Sequence, residues 1–347
     1  MTNTSPSFIF VGDTNVGARI SNNLVEAGYL AAPDVAWADV VFTYASSTST
    51  LEEIYLGEEG LLKETHEGAI LVDLSATAPG FARDVFGVTE VGNRFFADAP
   101  LVVRNMAVED AFARRENLAM VVGAEAEVQK KILPMLESIA GNVMWVGNPG
   151  AGQTAKAALT LKNAAALVGV IEAKAALDAA EAQVNPEDLL EFMEETGLAT
   201  EAQISFIEAV TEGEFEGTFT VEHLMGELSA ALTAADERDL ILPQAESGFR
   251  LMELLAMVGG VEMAPAALTL VFASEEDAKK NGLDWSRAEG AFEEHDHECE
   301  CGHDHGEDHE CCGKHHHHDE DYDEDDYNTY ESAFDFEDFE EDEDEDK

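Results

Sequence analysis

The stretch from Phe8 to Tyr29 reads FIFVGDTNVGARISNNLVEAGY. An apolar run ends at Gly12, and apolar residues then recur at helical spacing, which predicts a strand, a tight turn and a helix. Phosphate-binding turns in this setting read G-x-G-x-x-G. Gly12 and Gly17 match the first and third glycines, whereas Thr14 stands in place of the second. Because a β-branched side chain occupies space that phosphates need, we expect dinucleotide binding at this turn to be weak.

The first 148 residues continue this pattern. Short apolar runs such as DVVFTYA and GAILVDLS alternate with helix-like stretches such as EAEVQKKILPMLESIAG. This alternation predicts a parallel sheet covered by helices, so we assign residues 1–148 to a Rossmann-like α/β domain. Only ten residues separate Tyr29 from Val40. The second strand of such a domain, with the residue that contacts the adenosine ribose, is therefore expected to be missing.

The rest of the chain divides into a helical part and a tail. Residues 149–287 show helical patterns only, including a long alanine-rich segment from Thr154 to Gln183 and a helix that starts after Asn185 and ends at Gly197. These patterns predict an all-helical second domain, and the long helix predicts pairing into a homodimer. Apolar periodicity disappears from residue 288, so residues 288–347 are expected to form a disordered acidic tail.

The charge of the chain restricts its partners. It carries 73 acidic and 19 basic side chains, a net charge of −54. Such a charge repels nucleic acid and anionic membranes, so the expected partners are metal ions and a small-molecule substrate. The start of the chain lacks a basic segment and a long apolar run, which disfavours a secretory signal. All four cysteines lie in the tail, so no disulfide framework supports the body, and a cytoplasmic location is expected.

Several segments, in this order, resemble the β-hydroxyacid dehydrogenase family, which includes 3-hydroxyisobutyrate dehydrogenases and relatives of 6-phosphogluconate dehydrogenase. FVGDTNVGARISNNL is similar to the family's first strand, glycine turn and helix, and DVVFTYASSTSTLEEIYLGEEGLL to its fourth strand and the next helix. GAILVDLSATAPGFAR resembles its D-x-S-T-x-x-P segment, FFADAP its D-A-P segment, and GNPGAGQTAKAALTLKN the start of its inter-domain helix. The resemblance covers about residues 7–275.

The resemblance implies an NAD or NADP cofactor across the carboxyl ends of the parallel strands, with its pyrophosphate at the first helix. The residues that would contact this cofactor are Gly12, Thr14, Gly17 and Ser75. The resemblance also implies a hydride transfer in which a lysine exchanges the hydroxyl proton, and the matching residue is Lys156. Without the resemblance, Lys156 would be interpreted as a solvated lysine on a helix surface.

The substrate side departs from the family pattern. Where the family has a glycine-rich turn for a carboxylate, this chain reads LVVRN, in which Arg104 either binds a carboxylate bidentately or is an exposed arginine at a strand end. The amide that the family places one turn after the lysine is replaced by Leu159 and Thr160. Asn163, two turns after the lysine, is then the remaining candidate for binding substrate. A second family lysine aligns near Gly226.

The tail contains a dense set of metal-binding side chains in HDHECECGHDHGEDHECCGKHHHH. Thiolates and imidazoles bind divalent ions such as Zn²⁺ and Ni²⁺, and this spacing matches no fixed structural zinc motif, so we expect flexible chelation of several ions. The alternatives are a low-complexity tail that meets no metal in the cell, or a tag remnant at HHHH. The thirteen candidate ligands are His295, His297, Cys299, Cys301, His303, His305, His309, Cys311, Cys312, His315, His316, His317 and His318.

These features of the sequence are compatible with two functions. The first is an NAD(P)-dependent oxidoreductase that acts on a small hydroxy acid or aldehyde acid, and the retained Lys156 favours it. The second is a non-catalytic protein on the same scaffold, which serves as a binding or metal-buffering module. Thr14, the shortened nucleotide domain and the altered carboxylate turn favour the second function. A fold does not fix a function, so the geometry of the site has to discriminate between them.

Overall fold

The computed structural model describes residues 5–180 and 184–288. These residues belong to one compact unit. Their apolar core continues across residue 148, from Phe8 and Val122 in strands to Leu167 and Leu228 in helices. The division into domains 1–148 and 149–287 therefore stays a prediction. The tail from residue 289 onward, with every candidate metal ligand, lies outside the described residues.

In the described part of the chain, one mixed sheet contains eight strands, which are β1 (Ser7–Gly12), β2 (Leu30–Ala31), β3 (Val40–Tyr44), β4 (Ile70–Asp73), β5 (Phe95–Asp98), β6 (Leu101–Val103), β7 (Leu118–Ala124) and β8 (Asn142–Gly147). The spatial order begins β2, β1, β3, β4, β5, and these five strands are parallel. Strand β7 then runs antiparallel to β5 and β6 and parallel to β8. Because β3 and β4 are buried along their whole length, the sheet is covered on both faces, as the predicted Rossmann-like fold requires.

The prediction that the second strand is missing is wrong in one respect. Leu30 and Ala31 form a two-residue strand, β2, which pairs with Ser7 and Phe8 at the edge of the sheet. Between β2 and β3 the chain makes a single 3-10 turn, which Asp34 caps by accepting a hydrogen bond from the amide of Ala36 at 3.0 Å. The ten-residue gap is therefore long enough for a strand fragment and one turn, but it contains no crossover helix.

The helices that precede β8 in the chain are α1 (Thr14–Glu26), α2 (Thr48–Leu56), α3 (Leu61–Glu64), α4 (Pro79–Val91) and α5 (Ala126–Ile139). One apolar cluster includes residues of α1 and α5, and a second cluster, formed with the opposite side of the strands, includes residues of α2 and α4. The sheet order changes direction at β1, with β2 on one side and β3 on the other. The crevice at the carboxyl ends of β1 and β3 is therefore the expected ligand site.

The helices that follow β8 are α6 (Ala151–Ala179), α7 (Pro186–Thr196), α8 (Glu201–Glu212), α9 (Val221–Asp236), α10 (Pro243–Leu255) and α11 (Glu275–Lys280), with a 3-10 helix at Pro265–Phe272. This confirms the predicted all-helical part. The start and end signals of α7 are also confirmed, because the Asn185 side chain accepts from the amide of Glu187 and Gly197 adopts a φ of 69°.

Helix α6 is the long central helix, and it packs against α9, β7 and α10. Within residues 5–180 and 184–288, α6 is one helix whose length and apolar composition would suffice to cross a membrane, and the bent segment from Pro243 to Phe272 would count as a second. The core helix of a folded domain has the same composition, and α6 contributes Ala164, Leu167 and Ile171 to the core.

Candidate active site

The two glycines of the first turn are fixed by close packing. Gly12 ends β1 with a φ of +119°, and a β-carbon there would lie 2.1 Å from the carbonyl oxygen of Tyr44, the last residue of β3. A β-carbon at Gly17 would lie 2.4 Å from the ring of Phe10. The fold therefore requires glycine at both positions, the first for a left-handed backbone and the second for the approach of α1 to β1. Thr14 is the first residue of α1 and is exposed.

Asp13 occupies the anion-binding end of α1. Its Oδ1 accepts hydrogen bonds from the amides of Asn15 and Val16, each at 2.8 Å. These are the amide groups that a helix N-terminus offers to a phosphate, because they have no partner within the helix. Asp13 had no predicted role, although an aspartate just before a helix is a known capping signal. The structure thus places a carboxylate of the protein where the resemblance implies a pyrophosphate.

Ser75 lies after β4 and is fully buried. Its Oγ accepts a hydrogen bond from the amide of Ala45 at 3.1 Å, and its carbonyl oxygen accepts from Nε2 of Gln153 at 2.8 Å. The Gln153 side chain also accepts from the amide of Thr77. Ser75 therefore joins the loops after β3 and β4 to the start of α6. Its burial and these hydrogen bonds give it a structural role, besides the cofactor contact that the resemblance implies.

Two buried aspartates that sequence analysis did not assign end β4 and β5. Asp98 accepts hydrogen bonds from the amides of Gly150 at 2.8 Å and Gln153 at 2.9 Å, so it anchors the first turn of α6 to the sheet. Burial raises the pKa of Asp98 to about 7, although these amide hydrogen bonds lower it. Burial likewise raises the pKa of Asp73 to about 6, against hydrogen bonds from Ser75 and Thr43. The aspartate of FFADAP therefore determines where α6 begins.

Lys156 lies in the second turn of α6 and is buried. Its Nζ is 2.6 Å from Oε1 of Glu227 in α9, and the two side chains are 4% and 8% exposed. Thr160 donates a hydrogen bond to the other oxygen of Glu227 at 3.2 Å. The interpretation of Lys156 as a solvated surface lysine is therefore wrong. Glu227 was missed by sequence analysis, because its partner is distant in the sequence and the two residues meet only when α9 packs on α6.

Helix α9 also covers the end of β3. A β-carbon at Gly226 would lie 2.1 Å from the carbonyl oxygen of Ser46, and the Ser46 hydroxyl donates to Oε1 of Glu222 at 2.9 Å. Burial and then the Glu227 carboxylate raise the pKa of Tyr44, which ends β3. The loop after β3 thus lies directly on α9 at Gly226, near which the resemblance aligns a second family lysine.

The two predicted substrate-binding residues come together, but in a groove that Lys156 does not line. Arg104 and Asn163 are among the residues that line a groove of about 290 Å³ between the end of β6, α6 and α8. The Arg104 guanidinium donates to the carbonyl oxygen of Glu116 at 3.0 Å. Lys156 faces α9, so the structure separates the predicted proton carrier from this groove. The predicted metal ligands lie beyond residue 288, and residues 5–180 and 184–288 contain no cluster of His, Cys, Asp and Glu suited to a metal ion.

Comparison with known proteins agrees with this architecture. The family model of the NAD binding domain of 6-phosphogluconate dehydrogenase matches residues 14–147. The uncharacterized oxidoreductase YkwC of Bacillus subtilis is 29% identical over 223 residues, which are 64% of this chain and 75% of the relative. A protein of Arabidopsis thaliana named probable 3-hydroxyisobutyrate dehydrogenase-like 3, mitochondrial, is 27% identical over 219 residues, or 63% of this chain and 64% of the relative.

A solved structure shares the fold. The 3-hydroxyisobutyrate dehydrogenase of Mycobacterium tuberculosis, in a structure with L-serine, has a TM-score of 0.66 and 20% identity, covering 78% of this chain and 99% of that one. The strand order, the glycine turn at the first helix and the long helix after the sheet are thus accompanied by sequence similarity along most of the folded part. The predicted resemblance to the β-hydroxyacid dehydrogenase family is therefore confirmed, both to 3-hydroxyisobutyrate dehydrogenase-like proteins and to the NAD binding domain of 6-phosphogluconate dehydrogenase.

Proposed function

We propose that this protein is an NAD(P)-dependent oxidoreductase that interconverts a small hydroxy acid and the corresponding aldehyde acid. The observation that carries the proposal is the buried pair of Lys156 and Glu227, held near the carboxyl edge of the sheet. Because Asp98 anchors the start of α6, Lys156 has a fixed position relative to β5. A buried lysine whose ammonium is held by a carboxylate is a suitable group for moving a proton at a defined place.

The nucleotide turn fits a dinucleotide only if Asp13 moves. The amides of Asn15 and Val16 already bind a carboxylate, so their direction suits negative charge. Rotation of the Asp13 side chain would release both amides for a pyrophosphate. At the adenosine end, Asp34 follows the short β2, close to where this fold places the residue that contacts the ribose. These residues are compatible with a weakly bound cofactor.

The chain's own contribution to the reaction is a proton at Lys156. When bound, the nicotinamide ring would exchange a hydride with the substrate carbon. In the direction of reduction, the Lys156 ammonium donates a proton to the oxygen that becomes the hydroxyl, and in oxidation the amine accepts that proton. Glu227 holds the ammonium by an ion pair, and Thr160 orients the Glu227 carboxylate by donating to its second oxygen.

We expect Lys156→Ala to lower turnover by about a hundredfold or more, as loss of a general acid does. The measurement is the oxidation of NADH and NADPH by the full chain with three- and four-carbon aldehyde acids. Lys174→Ala is the matched control, because Lys174 lies on the same helix but pairs with Asp178. Circular dichroism of each variant shows whether the fold is retained. A folded Lys156→Ala variant with the turnover of the parent would refute the assignment.

A second candidate is a non-catalytic member of the family. Two observations favour it, the carboxylate of Asp13 on the amides of α1 and the contact of Ser46 with Gly226 in front of the sheet. The two candidates differ in a direct measurement, which is calorimetric titration of NADH and NADPH into the full chain. Absence of binding at millimolar dinucleotide, with no turnover of any aldehyde acid, would select the non-catalytic candidate.

The tail suggests a metal-buffering role that is compatible with either candidate. Thirteen histidines and cysteines between His295 and His318 support a proposal of multi-ion chelation of Zn²⁺ or Ni²⁺. We expect the full chain to bind several equivalents of Zn²⁺ in competition with a chromophoric chelator. A chain ending at Glu294, which retains all of the described residues and none of the thirteen candidate ligands, should bind none of these equivalents. Equal uptake by both chains would exclude the tail as the chelator.

A further inference from the structure

The groove that contains Arg104 and Asn163 has the properties of a separate ligand site. Its volume of about 290 Å³ is close to the lower end of small-molecule pockets, so it suits a ligand of modest size. Its apolar walls come from β6, α6 and α8 and include Val102, Leu159 and Phe206. Lys156 does not line it, so this site does not depend on the proposed oxidoreductase chemistry.

The charge of the groove is opposite to that of the protein. Arg104 and Lys162 line it, and no aspartate or glutamate does. The chain as a whole has 73 acidic and 19 basic residues. A groove lined by two cationic side chains and by no carboxylate is therefore unusual for this protein. Within the described residues neither cation forms a salt bridge, because Arg104 donates to the carbonyl oxygen of Glu116 and Lys162 donates to the side chain of Asn163.

The lining of the groove combines polar and apolar side chains. Arg104, Lys162 and Asn163 supply hydrogen-bond donors, and a guanidinium can bind a carboxylate through two parallel hydrogen bonds. Leu159, exposed to 36%, and the buried Phe206 offer apolar surface to a hydrocarbon chain. We propose that the groove binds an amphipathic carboxylate, a linear acid of about six carbons, with its carboxylate at Arg104 and Lys162 and its chain along α6 and α8.

The test is a titration of the full chain with hexanoate, followed by NMR chemical shifts and by calorimetry. We expect saturable binding that weakens as salt is raised, because the cations are at the surface. Arg104→Gln and Lys162→Gln should each weaken binding by about tenfold, the usual effect of losing a hydrogen bond to a charged group. Hexanol, which has the same chain without the charge, should bind more weakly than hexanoate by a similar factor.

Two controls separate this site from the others. Lys174→Gln, on the same helix but paired with Asp178, should leave hexanoate binding unchanged. Lys156→Met should also leave hexanoate binding unchanged. The test of this groove therefore gives a result that does not depend on whether Lys156 is the proton carrier of an oxidoreductase. Equal binding of hexanol and hexanoate would overturn the proposal. Failure of hexanoate to bind would also overturn it, and a change in the sedimentation of the chain with Arg104→Gln would then identify the groove as an interface between two copies.

Discussion

Replacing Asp13 with alanine is expected to tighten the binding of NADH or NADPH by about tenfold to a hundredfold. In the parent, the Asp13 carboxylate accepts hydrogen bonds from the amides of Asn15 and Val16. A pyrophosphate therefore has to displace this carboxylate and then lie beside its negative charge. Removing the carboxylate frees both amides and removes the repulsion. Each tenfold gain corresponds to about 1.4 kcal/mol of binding free energy. The same change removes the cap of α1, which lowers the free energy of unfolding by roughly 1 kcal/mol.

Calorimetric titration of both dinucleotides measures the gain, and denaturant unfolding measures the loss. Asp13→Asn should give a smaller gain in affinity with little loss of stability, because asparagine still caps a helix but carries no charge. Asn185→Ala is the matched control, since it removes the cap of the distant helix α7. It should lower stability without changing dinucleotide affinity. If Asp13→Ala bound both dinucleotides as weakly as the parent, Asp13 would not be the competitor of the pyrophosphate.

Breaking the buried ion pair is expected to have the largest effect on stability. Glu227→Leu leaves the Lys156 ammonium buried without its carboxylate, and such a loss typically lowers the free energy of unfolding by about 3 to 5 kcal/mol. The double variant Lys156→Met with Glu227→Leu removes both charges and replaces them with apolar side chains. It should recover most of that loss, because no buried charge is left unpaired.

Urea unfolding of the parent, both single variants and the double variant gives the coupling between the two residues. The exposed pair of Lys174 and Asp178, also on α6, is the control. Asp178→Leu should change the free energy of unfolding by less than about 1 kcal/mol, because water solvates the lysine that remains. A double variant as unstable as Glu227→Leu alone would show that shape, and not charge pairing, determines the stability of this region.

Much of the fold could be predicted from local sequence. The apolar runs that became β1, β3 and β4, the glycines of the first turn, and the cap and stop of α7 follow from periodicity and from backbone conformations that only certain residues adopt. The strand β2 was missed because its two residues, Leu30 and Ala31, are too few to show periodicity. Such a short strand forms because it pairs with β1, and two residues cannot show the alternation of apolar and polar side chains that predicts a strand.

The site was less predictable, for a different reason. Lys156 was identified by its spacing from the glycine turn before α6, but its burial depends on Glu227, which lies on another helix. Arg104 and Asn163, both predicted to bind substrate, line one groove that Lys156 does not line, because the side chains of one helix divide among its faces. The sequence around Asp13 is sufficient to predict a helix cap. Its competition with a phosphate could not be predicted, because it depends on the particular amides that donate to its carboxylate.

The contact at Gly226 limits which substitutions this part of the protein can accept. The carbonyl oxygen of Ser46 lies where any β-carbon at residue 226 would have to be, and Ser46 is also bonded to Glu222 one turn earlier in α9. Any larger side chain at residue 226 would therefore meet backbone atoms of this loop, which a rotamer change cannot avoid. A single substitution at Gly226 requires the loop after β3 to move away from α9. Loop and helix can therefore change only together.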